Sequence, residues 1–273
     1  MSKAVPRMVE ALMAEIRGAL SAFRHRPVVI GICGAQGSGK STLAEAVRRQ
    51  CGAEGLASAV LSLDDLYLTH AERQALSREV HPLLATRGVP GTHDIKLGLD
   101  VLDALESGGP AALPRFDKAR DDRAPERNWP IVAPGCEVLV LEGWCVGAFP
   151  QRTSELTDPV NALEAEEDPD GRWRRWVNDM LGDSYQRLFA RMDRLVLLAA
   201  PGFEVVQRWR AEQERDLAGH PAPGSKVMTE AEIARFIAHY ERITRLILAE
   251  MPARADLVIR LDEARRPLEI LRR

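Results

Sequence analysis

Five short apolar runs punctuate this chain: Val28 to Cys33, Ala59 to Leu63, Glu137 to Leu141, Arg194 to Ala200 and Asp256 to Leu261. They are apolar throughout rather than alternating with polar residues, the pattern of strands covered on both faces. The stretches between them carry helical spacing. Val5, Met8, Val9, Leu12, Met13, Ile16, Leu20 and Phe23 fall on one stripe of an N-terminal helix within residues 1–26. Further helices are expected over Thr42 to Arg49, Leu97 to Glu106, Trp173 to Met180 and Phe203 to Asp216. Thr229 and Glu232 form a capping box that opens a helix with Ile233, Phe236, Ile237, Tyr240, Ile243 and Ile247 on its apolar face. Strands alternating with helices predict an α/β fold built on a mostly parallel sheet.

Two polar intervals break the alternation, residues 70–130 and 148–190. Long polar intervals in an α/β domain are usually functional loops or lids. There is no internal repeat and no linker long enough to separate two domains, so residues 1–273 are expected to form one domain. Ligands of such sheets sit beyond the carboxyl ends of the strands. That rule gathers Gly34 to Ser41, Asp64-Asp65, Glu142-Gly143 and Pro201-Gly202 at one edge.

Composition narrows the picture only modestly. With 273 residues, 45% hydrophobic and 28% charged, the chain can bury a real core, and its net charge of −3 gives no global field for nucleic acid or an anionic membrane. No apolar stretch is long enough to span a bilayer. The acids Glu10 and Glu15 argue against reading the N-terminal stripe as a transit peptide. Cys33, Cys51, Cys136 and Cys145 lack zinc or redox-motif spacing; reduced thiols, and hence a cytoplasmic setting, are expected.

The strongest chemical signal is Gly34-Ala35-Gln36-Gly37-Ser38-Gly39-Lys40-Ser41, which fits the phosphate-binding pattern G-x-x-x-x-G-K-[ST] between a strand and a helix. Backbone N–H groups from Gly34 to Thr42 would wrap a polyphosphate at the positive end of the helix. Lys40 would reach the β- and γ-phosphates, and the Ser41 hydroxyl would ligate Mg²⁺. Asp64, just past the second strand, can accept a hydroxyl proton or ligate metal, a reading favoured by the adjacent acid pair over an Asp that caps the next helix. Glu142 ends an apolar strand before a glycine, where an acid orients Mg²⁺ and its waters. The loops Arg87 to Asp94 and Pro114 to Arg123 mix basic and acidic residues, which suits either an anionic acceptor or a salt-bridged surface. Arg208, Arg210 and Arg215 lie on one helix, as a lid over the γ-phosphate (residues 203–227) or as a solvated face. No Asn is followed by Lys, so the guanine-specificity box of GTP switches is missing.

These residues resemble a known group. The phosphate loop, Leu63 to Tyr67 and the Arg-rich lid look like the phosphoribulokinase, uridine kinase and pantothenate kinase superfamily. Within it the chain is most similar to the D-glycerate 3-kinases of plants, fungi and bacteria. Ser62 to Thr69, His81 to Leu84, Arg87 to Asp94, Pro114 to Lys118, Glu142 to Gly147, Pro159 to Glu164, Trp209 to Glu214 and Phe236 to Arg242 carry that likeness. It implies a P-loop fold around a five-stranded, mostly parallel sheet flanked by helices. It also implies transfer of phosphate from ATP, with Mg²⁺, to the small anionic substrate D-glycerate, and Asp64 as base. Leu66 stands where an aromatic is usual. The candidate acceptor residues are then Asp65, Tyr67, Arg87, His93, Asp94, Arg115 and Lys118, with Arg87, Arg115 or Lys118 neutralising the carboxylate. Uridine, pantothenate or a sugar phosphate as acceptor, and an ATP-binding regulator with no acceptor, remain alternatives.

Overall fold

Val28, Ile30 and Ile32 pack into one hydrophobic layer, while Val29 and Cys33 pack into another on the opposite side of the same strand. That is why the strand is apolar at every position rather than at every second one. A computed structural model describes residues 4–219 and 228–273, the side chains of Ala4 and of 214–219 excepted. Six strands form the central sheet: β1 (Val28–Gly34), β2 (Ser58–Ser62), β3 (Val138–Gly143), β4 (Arg194–Ala199), β5 (Leu257–Leu261) and β6 (Pro267–Arg272). Their order is β6-β5-β4-β1-β3-β2, parallel except for β6, which runs antiparallel to β5.

Ten helices accompany them among the described residues: α1 (Ala4–Ala22), α2 (Lys40–Ala53), α3 (His70–Glu79), α4 (Ile95–Glu106), α5 (Ala162–Glu167), α6 (Arg172–Gly182), α7 (Ser184–Phe189), α8 (Phe203–Gly219), α9 (Glu230–Ala238) and α10 (Glu241–Glu250). Buried residues of α1, α2 and α8 cover one face of the sheet, and those of α4, α6, α7 and α10 the other. Among the described residues no helix is long and apolar enough to cross a membrane. All four cysteines are free and buried.

Several expectations change. The five parallel strands are present, but β6 adds a sixth at the edge, paired with β5 through a register shift near Pro267. β2 is not covered on both faces: Ser58, Val60 and Ser62 are partly exposed, as suits the other edge of the sheet. The interval 70–130 holds α3 as well as α4, and α3 opens on a Thr69–Glu72 capping box. The interval 148–190 is largely helical. The helix expected to run from Thr229 to Ile247 keeps its capping box but breaks at His239-Tyr240. There the backbone tightens, with Tyr240 N bonding Ile237 O, and Asn161 Nδ2 donates to the freed carbonyl of Ala238 at 2.9 Å. His220 and the end of the expected lid, residues 220–227, lie outside the described residues, as does the side chain of Arg215.

Candidate active site

β1 hands the chain to α2 through a loop that only glycine can close. Gly37 and Gly39 sit at φ 75° and 89°, in the left-handed region that Cβ disfavours. An added Cβ at Gly37 would lie 2.7 Å from Trp209 Cβ, and one at Gly34 2.7 Å from Ser38 Oγ. α2 starts at Lys40 with no side-chain cap, so its first N–H groups are left for an anion. From the far side, Arg265 Nε donates to the Gly37 carbonyl at 2.6 Å and its guanidinium stacks on Trp209. The Ser38 Oγ is buried without a protein partner.

β3 lies between β1 and β2, with Glu142 opposite Ile32 on one side and Ser62 on the other. This brings Glu142 to the phosphate loop, where its Oε1 accepts from Ser41 Oγ at 2.9 Å. Its Oε2 is buried and has no hydrogen-bond partner. A buried, half-satisfied carboxylate is costly unless something positive or donating completes it. Among the described residues no three His, Cys, Asp or Glu side chains converge, so a cation here would draw its remaining oxygens from nucleotide phosphates and water.

One strand further, Asp64 sits in the turn Leu63–Leu66 that follows β2. Its Oδ1 accepts from Tyr67 Oη at 2.8 Å and its Oδ2 from Lys118 Nζ at 2.7 Å. It caps no helix, and its oxygens are turned to these two groups rather than to Ser41 and Glu142. Burial pushes its proton affinity up, but Lys118, Lys40 and the Tyr67 hydroxyl outweigh that and hold the carboxyl well below the usual carboxylate range. Lys40 and Asp64 both line a cavity of about 70 Å³. Arg87, Lys118 and Arg210 also line it, giving four cations around one carboxylate. Its other walls are Gln36, Tyr67, Trp144, Phe236 and Tyr240.

Other foreseen site residues turn away from this cavity. Asp65 and Arg115 pair with each other at 3.3 Å, and Asp65 also accepts from Phe116 N at 3.0 Å. Arg115 lines a separate groove beside β2. Asp94 caps α4 through Leu97 N and pairs with Arg123 at 3.1 Å. Arg208 reaches Glu263 at 3.0 Å instead of the phosphate loop. Thr42 faces a second cavity of about 260 Å³, which Ser38 and Gly39 of that loop also line, with Val5, Met8, Leu43, Leu198 and Arg265. His93 is buried, stacked on Tyr67 with ring centroids 4.7 Å apart, and its Nδ1 meets Tyr185 Oη at 2.5 Å. It supports Tyr67 rather than lining the cavity.

Burial drives the His93 pKa down to about 3 from the ordinary 6.5. A histidine held neutral in the fold but free to charge when unfolded costs stability as pH falls below 6.5 and down towards 3. This group alone should remove up to ~1.4 kcal/mol per pH unit across that window. His93→Gln should flatten the fall in melting temperature between pH 6.5 and 4.5; an unchanged slope would show that other groups carry it.

Trp144, Phe236 and Tyr240 also belong to the site, a role that their sequence positions do not mark. Trp144 Nε1 donates to the Gly88 carbonyl at 2.8 Å and Tyr240 Oη to the Arg87 carbonyl at 3.0 Å. The two rings meet edge to face at 4.8 Å. Together they hold the loop carrying Arg87, whose guanidinium pairs with Asp121 and lies 5.6 Å over the Phe116 ring.

A glycine cradle, an acid on the neighbouring strand and a small basic cavity beyond it define a P-loop kinase. The family model for the phosphoribulokinase/uridine kinase family matches residues 29–168. The Schizosaccharomyces pombe protein named "Uncharacterized kinase mug58" is 36% identical over 230 residues, 79% of each chain. The chain therefore belongs to the phosphoribulokinase/uridine kinase family of ATP-using kinases. The chloroplastic D-glycerate 3-kinase of Arabidopsis thaliana is 32% identical over 261 residues, covering 89% of this chain and 54% of that one. The structure of a D-glycerate 3-kinase from Cryptococcus neoformans aligns over the full length of both chains with a TM-score of 0.82 at 24% identity, a likeness of fold.

Proposed function

We propose that this chain transfers the γ-phosphoryl group of ATP to the primary hydroxyl of D-glycerate, giving 3-phosphoglycerate and ADP. The observation that carries the reading is the cavity between Lys40 and Asp64: about 70 Å³, with four cations around one carboxylate. That is far below the ~300 Å³ and more of pockets for drug-sized ligands, so it suits a small acid better than a nucleoside. The relative named a D-glycerate 3-kinase supports the same choice.

In this reading the triphosphate lies in the cradle from Gly34 to Thr42, and the acceptor lies between Lys40 and Asp64. The hydroxyl oxygen forms a bond to the γ-phosphorus as the bond to the β–γ bridging oxygen breaks. ADP leaves with that electron pair, and Asp64 takes the hydroxyl proton. Lys40 and Arg210 face the negative charge that builds up on the transferring group. The cavity lined by Val5, Met8, Leu43 and Leu198, with Ser38, Thr42, Arg265 and Arg266, offers the nucleoside a place beside the loop. Ser41 and Glu142 would hold Mg²⁺, and the partnerless Glu142 Oε2 fits that role. When bound, the ion neutralises phosphate charge.

Glu142→Gln keeps the shape but removes the charge. It should raise the Mg²⁺ concentration needed for half-maximal turnover by about 10- to 100-fold; an unshifted Mg²⁺ titration would remove Glu142 from the metal site. The reading itself is tested by ADP release with D-glycerate, uridine, pantothenate and sugar phosphates supplied in turn. Release that depends on glycerate is expected. Turnover with uridine but not glycerate would replace the acceptor, and hydrolysis that ignores every acceptor would point to a regulator.

A further inference from the structure

Lys118 stands apart from the other cations of the cavity. It lies on the exposed tip of a small ribbon, Phe116–Asp117 paired with Asp122–Arg123. The base of that tip is anchored, because Asp121 pairs with Arg73, Arg87 and His70. Arg87 is tied down by Asp121 and by stacking on Phe116. Lys118 is not so confined. Its side chain is 60% exposed, and its ion-pair partner is the 27% exposed Asp64, at 2.7 Å.

This pairing creates a conflict for a base. With Tyr67 on one oxygen and Lys118 on the other, Asp64 is fully ionised but a poor acceptor of protons. A carboxylate entering beside it would compete for the same ammonium, since Lys carries a compact charge on a flexible stem and can change partners. A neutral alcohol could not compete.

We propose that Lys118 is a specificity-determining residue that exchanges partners: it pairs with Asp64 before the acceptor arrives, then turns to the carboxylate of an incoming hydroxy acid and frees Asp64 to receive the hydroxyl proton. The inference rests on the glycerate reading above and adds to it. The acceptor's carboxylate is then a trigger as well as a handle, and selects hydroxy acids over polyols in the chemical step as well as in binding.

The test measures kcat and KM for D-glycerate and for glycerol, which keeps the primary hydroxyl and lacks the carboxylate. It uses the wild-type chain, Lys118→Met and Lys118→Arg. In the wild type, glycerate should be favoured in kcat and not only in KM. Lys118→Met should lose about 10- to 100-fold in kcat/KM for glycerate, the scale of one charged hydrogen bond. Its glycerol turnover should rise, because only Lys40 and the Tyr67 hydroxyl are then left to depress the basicity of Asp64. Lys118→Arg keeps the cation and should recover much of the glycerate turnover. Equal losses for both acceptors in Lys118→Met would mark a merely structural residue and overturn the exchange, as would undiminished glycerate kinetics in that variant. A wild-type chain idle on glycerate but active on another acceptor would remove the functional reading, and this inference with it.

Discussion

Asp64→Asn should lower glycerate turnover by about 10²- to 10⁴-fold, the range for losing a positioned general base, while ATP still binds. The substitution is nearly isosteric. Asparagine keeps an oxygen for the Tyr67 hydroxyl but loses the charge that pairs with Lys118. Removing the one carboxylate among Lys40, Arg87, Lys118 and Arg210 makes the cavity more positive, so nucleotide affinity should hold or tighten. Calorimetric titration with a non-hydrolysable ATP analogue would separate binding from turnover. If Asp64→Asn turns over like the wild type, the proton goes elsewhere and Asp64 is a structural partner of Lys118. Asp64 is also held well below the ordinary carboxylate range, so it gives up its charge only in strong acid. The acid limb of kcat/KM, which reports the free enzyme, should therefore fall where other groups protonate or where charging of His93 loosens the fold, not at the usual carboxylate pKa.

The parts of this site that were legible share one property: their chemistry is local in sequence. Gly34 to Ser41 announces itself because a tight turn, an anion cradle and a helix start must follow one another within eight residues. The apolar runs of β1, β3 and β4 were legible because each side of the strand is buried. Asp64 and Glu142 stood out because both follow strands. Which strand neighbours which was not legible. β3 begins at Val138, long after β2, yet inserts between β1 and β2, and only that order puts Glu142 against Ser41 with Asp64 one strand beyond.

The loops show the same limit. Arg87, Arg115, Asp65 and Asp94 look equivalent as charged loop residues. Asp65 and Asp94 are consumed by Arg115 and Arg123, and that depends on contacts some 30 to 50 residues apart in the chain. Tyr240 reads as core from its helical spacing and is indeed buried, yet its hydroxyl reaches Arg87 O across 153 positions. α3 is a different case. Its Thr69–Glu72 capping box is present in the sequence, but a weakly apolar helix gives no stripe to draw attention to it. β6 hides for a related reason: Leu268 and Leu271 are exposed, so the strand lacks the uniformly apolar signature of its neighbours.

Lys40→Ala should damage activity severely and be among the least damaging changes to the fold. Lys40 opens α2 and faces the acceptor cavity. Among the described residues it makes no ion pair or side-chain hydrogen bond. It stands close enough to Asp64 to lower that group's proton affinity, but it shares the cavity with Arg87, Lys118 and Arg210. A cation kept among like charges without a dedicated partner adds little to stability and is better explained by the charge it meets when a triphosphate lies in the loop. Removing it should cost at least about 10²- to 10³-fold in turnover, the scale for one preorganised donor to developing charge, and should weaken ATP binding as well. The melting temperature without nucleotide should hold or rise, because repulsion from the neighbouring cations is relieved. The stabilisation that ATP gives the wild-type chain should shrink in step with the lost affinity. A large drop in the nucleotide-free melting temperature would show that Lys40 holds the fold, and the activity loss would then say nothing about phosphoryl transfer.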